Sequence, residues 1–194
     1  MNLPNKITVT RIFMIIVFLM LASVGKINDV SRDSFAYACH FAAYWIGFLA
    51  GCTDFVDGWL ARKWNMVTDF GALMDPLADK IFVATTYIMM VYAGTVPAYV
   101  AIVILGREFM VTGLRQLAAK KGTVIAADSL GKIKTILQML IIAISGACWI
   151  NLFGLTLENV GIWYELTLIA VTVITVWSGA SYFVRYRELY LKDA

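Results

Sequence analysis

Four aspartates, Asp54, Asp57, Asp75 and Asp79, fall at the spacing D-x2-D-G-x2-A-R-x8-G-x3-D-x3-D within positions 54–79. On a helix, Asp54, Asp57, Gly58 and Ala61 occupy i, i+3, i+4 and i+7 and share one face. Gly71, Asp75 and Asp79 recur every fourth residue and share another. Two such faces joined by a polar turn bring four carboxylates together, and like charges at that range repel unless a cation lies between them. The spacing therefore asks for a divalent metal, and an all-oxygen ligand set favours Mg2+, Mn2+ or Ca2+ over zinc. The small residues Gly58, Ala61 and Gly71 on the same faces leave room for a bulky group to approach the backbone.

A second set of residues is basic. Arg107 and Arg115, within LGREFMVTGLR, are eight apart and lie on nearly one side of a helix. Lys132 and Lys134 are two apart and cannot both point the same way. Arg107 enters an otherwise apolar run, which is costly unless it faces a polar cavity, so we read it as lining an anion pocket. Glu108 beside it reads as a partner that orients a basic residue, whereas Lys120 and Lys121 read as topology signals that snorkel to water. An acid cluster with an anion pocket fits a phosphorylated substrate, because magnesium uses carboxylates and substrate phosphates together. Metal clamps ease displacement at phosphorus, and one carboxylate can take the proton of an attacking hydroxyl. Spacing alone leaves two other readings open: a salt-bridge belt of the acids with Arg62, Lys63 and Lys80, and the cation path of a transporter or channel. A belt needs no interleaved small residues, and no acids continue a path across the bilayer.

The elements that must position these residues are apolar helices. Of 194 residues, 61% are hydrophobic and 15% charged, well below the ~25% charged of soluble domains. Charge-free runs cover 35–53, 81–106, 135–157 and 166–184, near or above the ~20 residues that cross a bilayer. The expected fold class is all-α: one polytopic domain over 1–194 with six transmembrane helices. Residues 1–6 form a short interfacial segment. The spans are expected at 7–24, 35–62, from Phe70 or Asp75 to before Gly94, from the GTVP turn to about Leu117, 131–150 and 162–185. Pro76 either opens the third helix or lies inside one that starts earlier. No cleavable signal is expected at the start.

Six spans put both termini on one side, and 14 of the 16 basic residues fall there, all but Lys26 and Arg32. The positive-inside rule then makes that side cytoplasmic, with the acid cluster facing the cytoplasm from the inner membrane. The net charge of +3 is too small to argue for nucleic acid. Cys39, Cys52 and Cys148 lie in apolar runs, which speaks for packing rather than disulfides, and His40 stands as the sole histidine with a structural role.

The stretch DFVDGWLARKWNMVTDFGALMDPLAD resembles the signature of the CDP-alcohol phosphatidyltransferases at every defined position. Length and span number resemble that family over essentially the whole chain. PNKITVTRI, RKWNMVTDFGALMDPLADK, GREFMVTGLR and SLGKIKTILQM are most similar to bacterial members whose acceptor is sn-glycerol-3-phosphate. The resemblance implies transfer of the phosphatidyl group from CDP-diacylglycerol to sn-glycerol-3-phosphate with release of CMP. It implies Mg2+ or Mn2+, one or two ions, and a homodimer in the bilayer.

Residue by residue, it implies that Asp54, Asp57 and Asp75 hold the metal against the CDP pyrophosphate. Asp79 contributes to the metal and acts as the base toward the acceptor hydroxyl. It further implies that Asn5, Thr8, Asp54, Gly58, Ala61, Arg62 and Gly71 border the nucleotide. Arg11, Arg107, Arg115, Lys132 and Lys134 would receive the phosphate of the acceptor. Relatives that use serine, inositol phosphate or phosphatidylglycerol share the acid signature, so the acceptor rests on the basic residues. A second anionic pocket argues against serine alone.

Overall fold

The computed structural model of the chain describes residues 3–25, 34–64, 69–122 and 129–187, and within its helices the side chains of all but 3–7, 54–64, 69–70, 72–73, 75, 129–130 and 132. Among the described residues there are six α-helices and no strand. They are α1 (Leu3–Ala22), α2 (Ser34–Trp64), α3 (Asp69–Tyr92), α4 (Ala98–Lys120), α5 (Ser129–Trp149) and α6 (Leu157–Arg185).

The breaks fall where backbone chemistry requires them. Gly94 takes φ +70° after α3, and Pro97, extended at φ −63° and ψ 142°, caps the start of α4. Thr156 caps α6 by accepting from the Asn159 amide at 3.3 Å. Gly161 (φ 45°, ψ −134°) leaves helical geometry, so the unbroken part of α6 begins at Ile162, the position read from the sequence. Pro76 lies inside α3, which starts seven residues before it at Asp69, and this settles the alternatives left open above. The second helix ends at Trp64, two residues beyond the expected Arg62. The start of the chain also differs: Leu3 already belongs to α1.

α3 is the centre of the bundle, touching α1, α2, α4 and α5, while α6 packs on α4 and α5. Ile15, Phe82, Tyr87, Ile104, Ile141 and Val171 form the main apolar core. Polarity is inverted relative to a soluble domain. Arg11, Lys134, Ser145, Thr175 and Ser178 are buried, whereas Ile102, Trp163 and Trp177 are 70%, 77% and 69% exposed. Apolar groups outside and polar groups inside suit a hydrocarbon surround, where interior polar groups must find partners within the protein.

Among the described residues, two helical segments are long and apolar enough to cross a membrane, Ser34–Thr53 and Leu157–Arg185, with shorter apolar segments at Thr8–Ala22 and Ile133–Trp149. In α4 the charges of Arg107, Glu108 and Arg115 interrupt the apolar run.

His40 is fully buried; its Nε2 donates to the Val24 carbonyl at 2.9 Å, and its ring packs on Trp149 at 4.7 Å. It ties the end of α1 to α2 and α5, a structural role. The three cysteines are free thiols.

Candidate active site

α2 and α3 form a close pair around Gly51, where a Cβ would come within 3.3 Å of the Phe82 ring. Asp54 is three residues after Gly51 and Asp79 three before Phe82. Because consecutive packed helices with a short connection run antiparallel, both positions lie about 4.5 Å toward the same end of the pair. Asp57 and Asp75 follow at the next level. Helical backbone through Pro76 keeps Gly71, Asp75 and Asp79 in fourth-residue register on α3. Gly71 is buried. The backbone therefore fits a shared carboxylate site. The side chains of Asp54, Asp57 and Asp75 lie outside the described residues, as do those of Asn5, Gly58, Ala61, Arg62 and Lys132.

Asp79 is described and half-buried. With Lys80 and Val83 it forms one wall of a small recess whose other wall is Leu105, Glu108 and Phe109 of α4. Behind that recess stands a basic cluster. Glu108 Oε1 accepts from Arg107 Nη1 at 3.3 Å and forms an ion pair with Lys134 of α5. Lys134 is 2% exposed and close enough to both Asp79 and Arg107 for their charges to act on it. Arg107 Nη2 donates to Ser178 Oγ at 2.8 Å, and Arg115 Nη2 to the Tyr182 hydroxyl at 3.3 Å. Among the described residues, two cations, Arg107 and Lys134, thus share the Glu108 carboxylate, and Arg115 lies on the same face of α4 against α6. On α1, Thr8 and Arg11 are both buried.

The structure brings Asp79, Arg107, Arg115 and Lys134 into one neighbourhood. Glu108 orients two basic residues, as its position beside Arg107 suggested. Lys120 and Lys121 are exposed, as snorkelling residues would be. Ser178 and Tyr182 went unread in the sequence; nothing in an apolar run marks a serine and a tyrosine as facing a distant arginine.

A larger groove of about 470 Å3 is apolar. It runs along α2 from Cys52 to Tyr44 and along α5 from Thr135 to Trp149, with Phe18 of α1 and Thr86 and Met90 of α3 behind it. One end of the lining is Cys52 and Thr135, two residues from Asp54 on α2 and one from Lys134 on α5. Gly146 lets the walls close, since a Cβ there would sit 2.7 Å from the Tyr44 ring.

Comparison with known proteins names the class. The model of the family described as CDP-alcohol phosphatidyltransferase matches residues 1–180, and the chain belongs to that family. This decides against a transporter, a channel or a purely structural belt of charges, and membership brings a general dependence on a divalent metal. More particularly, the chain is 45% identical over 192 residues to the CDP-diacylglycerol--glycerol-3-phosphate 3-phosphatidyltransferase of Bacillus subtilis (strain 168), covering 96% of each chain. It is 34% identical over 189 residues to the enzyme of the same name from Rickettsia typhi, covering 94% of this chain and 95% of that one. It is also 34% identical to a "Probable phosphatidylglycerophosphate synthase" of Mycobacterium tuberculosis, covering 95% of this chain and 81% of the relative.

Proposed function

We propose that this chain transfers the phosphatidyl group of CDP-diacylglycerol to sn-glycerol-3-phosphate, giving phosphatidylglycerophosphate and CMP. The observation that carries this reading is near full-length likeness to relatives bearing that activity in their names. The gathering of Arg107, Arg115 and Lys134 on one wall supports an anionic acceptor.

Asp54, Asp57 and Asp75, with Asp79, would hold Mg2+ or Mn2+, as one or two ions. When bound, the metal supplies positive charge to the pyrophosphate of the donor. Gly58, Ala61 and Gly71 leave the nucleotide space against the helices, Asn5, Thr8 and Asp54 border it, and Arg62 offsets its charge. The acyl chains of the donor take the apolar groove between α2 and α5, whose Cys52 end adjoins the acid-bearing part of α2. Arg107, Arg115, Lys132 and Lys134, with Arg11, hold the phosphate of the acceptor. Asp79 takes the proton of the acceptor hydroxyl as its oxygen bonds to the β-phosphorus. The bond from that phosphorus to the bridging oxygen breaks, and CMP leaves.

One domain over 1–194 carries this site in six spans of the inner membrane, with both termini and the site on the cytoplasmic side. Two copies form a homodimer, a feature taken from the family resemblance.

The test is CMP release by the purified protein from CDP-diacylglycerol. Release should require both Mg2+ or Mn2+ and sn-glycerol-3-phosphate, and chelation should abolish it. Turnover with serine, inositol phosphate or phosphatidylglycerol in place of glycerol phosphate would reassign the acceptor within the family.

A further inference from the structure

We propose that α6 supplies a positioning face, centred on Tyr182 and completed by Ser178 and Gly179, that sets the aim and separation of the two arginines which grip the anionic acceptor. The proposal rests on the reading of Arg107 and Arg115 as acceptor-binding residues.

Four observations converge on one face of α6. The guanidinium carbons of Arg107 and Arg115 lie 5.6 and 5.8 Å from the Tyr182 ring centroid, so one aromatic ring serves two cations. The Tyr182 hydroxyl accepts from Arg115 at 3.3 Å. Ser178, one turn earlier on α6 and fully buried, accepts from Arg107 at 2.8 Å. Tyr182 is itself 4% exposed and clustered with Val111, Leu114 and Tyr186. Positions 107, 111, 114 and 115 share one face of α4, so the ring is wedged along the strip that carries both arginines.

The physical consequence follows from charge and entropy. Two guanidinium groups on one helix face repel and would splay. An aromatic ring attracts both through its quadrupole and anchors each within about 6 Å of its centroid. Arginine also carries ~2 kcal/mol of rotamer entropy, and a side chain already fixed loses less of it on binding an anion. Gly179 belongs to the same face, since a Cβ there would meet Arg107 Cγ at 3.2 Å, a tight contact that shifts the side chain by a few tenths of an ångström. Arg107 Nε has no hydrogen-bond partner among the described residues, so the tethered group keeps a donor for a ligand.

The test compares Tyr182→Leu, which removes the ring, with Tyr182→Phe, which keeps it. Both are made in the full chain and assayed with CDP-diacylglycerol. Tyr182→Leu should raise the KM for sn-glycerol-3-phosphate about tenfold, the equivalent of one well-placed cation–π contact. Tyr182→Phe should stay within about threefold of the parent, having lost one hydrogen bond. The kcat and the KM for CDP-diacylglycerol should change by less than about twofold, a split that general loosening would not produce.

Thermal stabilisation by inorganic phosphate is the second readout and needs no turnover. It should be alike in the parent and Tyr182→Phe, and in Tyr182→Leu it should need about tenfold more phosphate for the same shift. An unchanged acceptor KM in a folded Tyr182→Leu protein, or equal losses in the Leu and Phe variants, overturns the proposal. Absence of phosphate stabilisation in the parent overturns it together with the anion pocket. If glycerol phosphate supports no CMP release but the phosphate pattern holds, the acceptor assignment fails and the positioning role stands. Should Tyr182→Leu not fold, Gly179→Ala carries the same expected rise in acceptor KM, and its absence the same refutation.

Discussion

The two halves of the candidate site are built in opposite ways. The acid half is a local hairpin of two consecutive helices, α2 and α3, with its carboxylates at short, regular intervals in one 26-position stretch. The basic half is assembled from α4, α5 and α6, and the residues that touch each other are far apart in the chain. Arg107 bonds Ser178, 71 residues on, and Arg115 bonds Tyr182, 67 residues on. A hairpin can encode a site by spacing because both faces follow from helical period. A three-helix wall cannot, because its geometry depends on how the helices are rotated and packed. The recess between Asp79 and Glu108 is where the two halves meet.

This contrast predicts a graded set of effects. The largest belongs to the acid half. Asp79→Asn should cut CMP release by about a thousandfold, the scale of general-base catalysis, while leaving thermal stability intact. Activity within tenfold of the parent would remove Asp79 from the role of base.

The basic half should respond in acceptor affinity rather than turnover. Arg107→Ala should raise the glycerol-phosphate KM roughly 10–100-fold, the worth of charge-assisted hydrogen bonds to phosphate. An equal rise in the KM for CDP-diacylglycerol would blur the division into two halves.

Glu108→Gln sharpens the comparison from within the basic half. It removes the carboxylate that Arg107 and Lys134 share, leaving the buried lysine without that counter-charge. We expect about 1–3 kcal/mol less stability and a several-fold change in acceptor KM, measured by thermal unfolding and steady-state kinetics. No change in either quantity would mean that the ion pair is ornamental.

The smallest catalytic effect is expected far from both halves. The Tyr164 hydroxyl donates to the Thr95 carbonyl at 2.9 Å and hydrogen-bonds Ser145, joining α6 and α5 to the turn before α4. Tyr164→Phe should cost about 1–3 kcal/mol of stability through unsatisfied buried groups. Below its melting transition it should retain both KM values within about twofold. A selective rise in acceptor KM here would show that the basic wall extends through the whole bundle.

The record of the sequence follows the same division. Helix positions were legible because apolar runs are bounded by Gly and Pro, and the start of α6 after Gly161 is an example. That Arg107 faces protein was legible because a charge inside an apolar run needs a polar partner. Pro76 was not decidable locally, since proline is compatible with the first turn of a helix and, when packing compensates, with its interior. Tyr182 and Ser178 were invisible because uncharged residues in an apolar helix announce neither their face nor their partner.

By itself the sequence determined the helical class, the paired acid register on positions 54–79 and the family to which that register belongs, since all three are written in short-range periodicity. Only the tertiary structure decided which helix faces meet. It carried α3 through Pro76, set Lys134 against Glu108, and placed one tyrosine of α6 against two arginines of α4. Those choices depend on helix rotation and close packing, which no spacing along a single helix encodes.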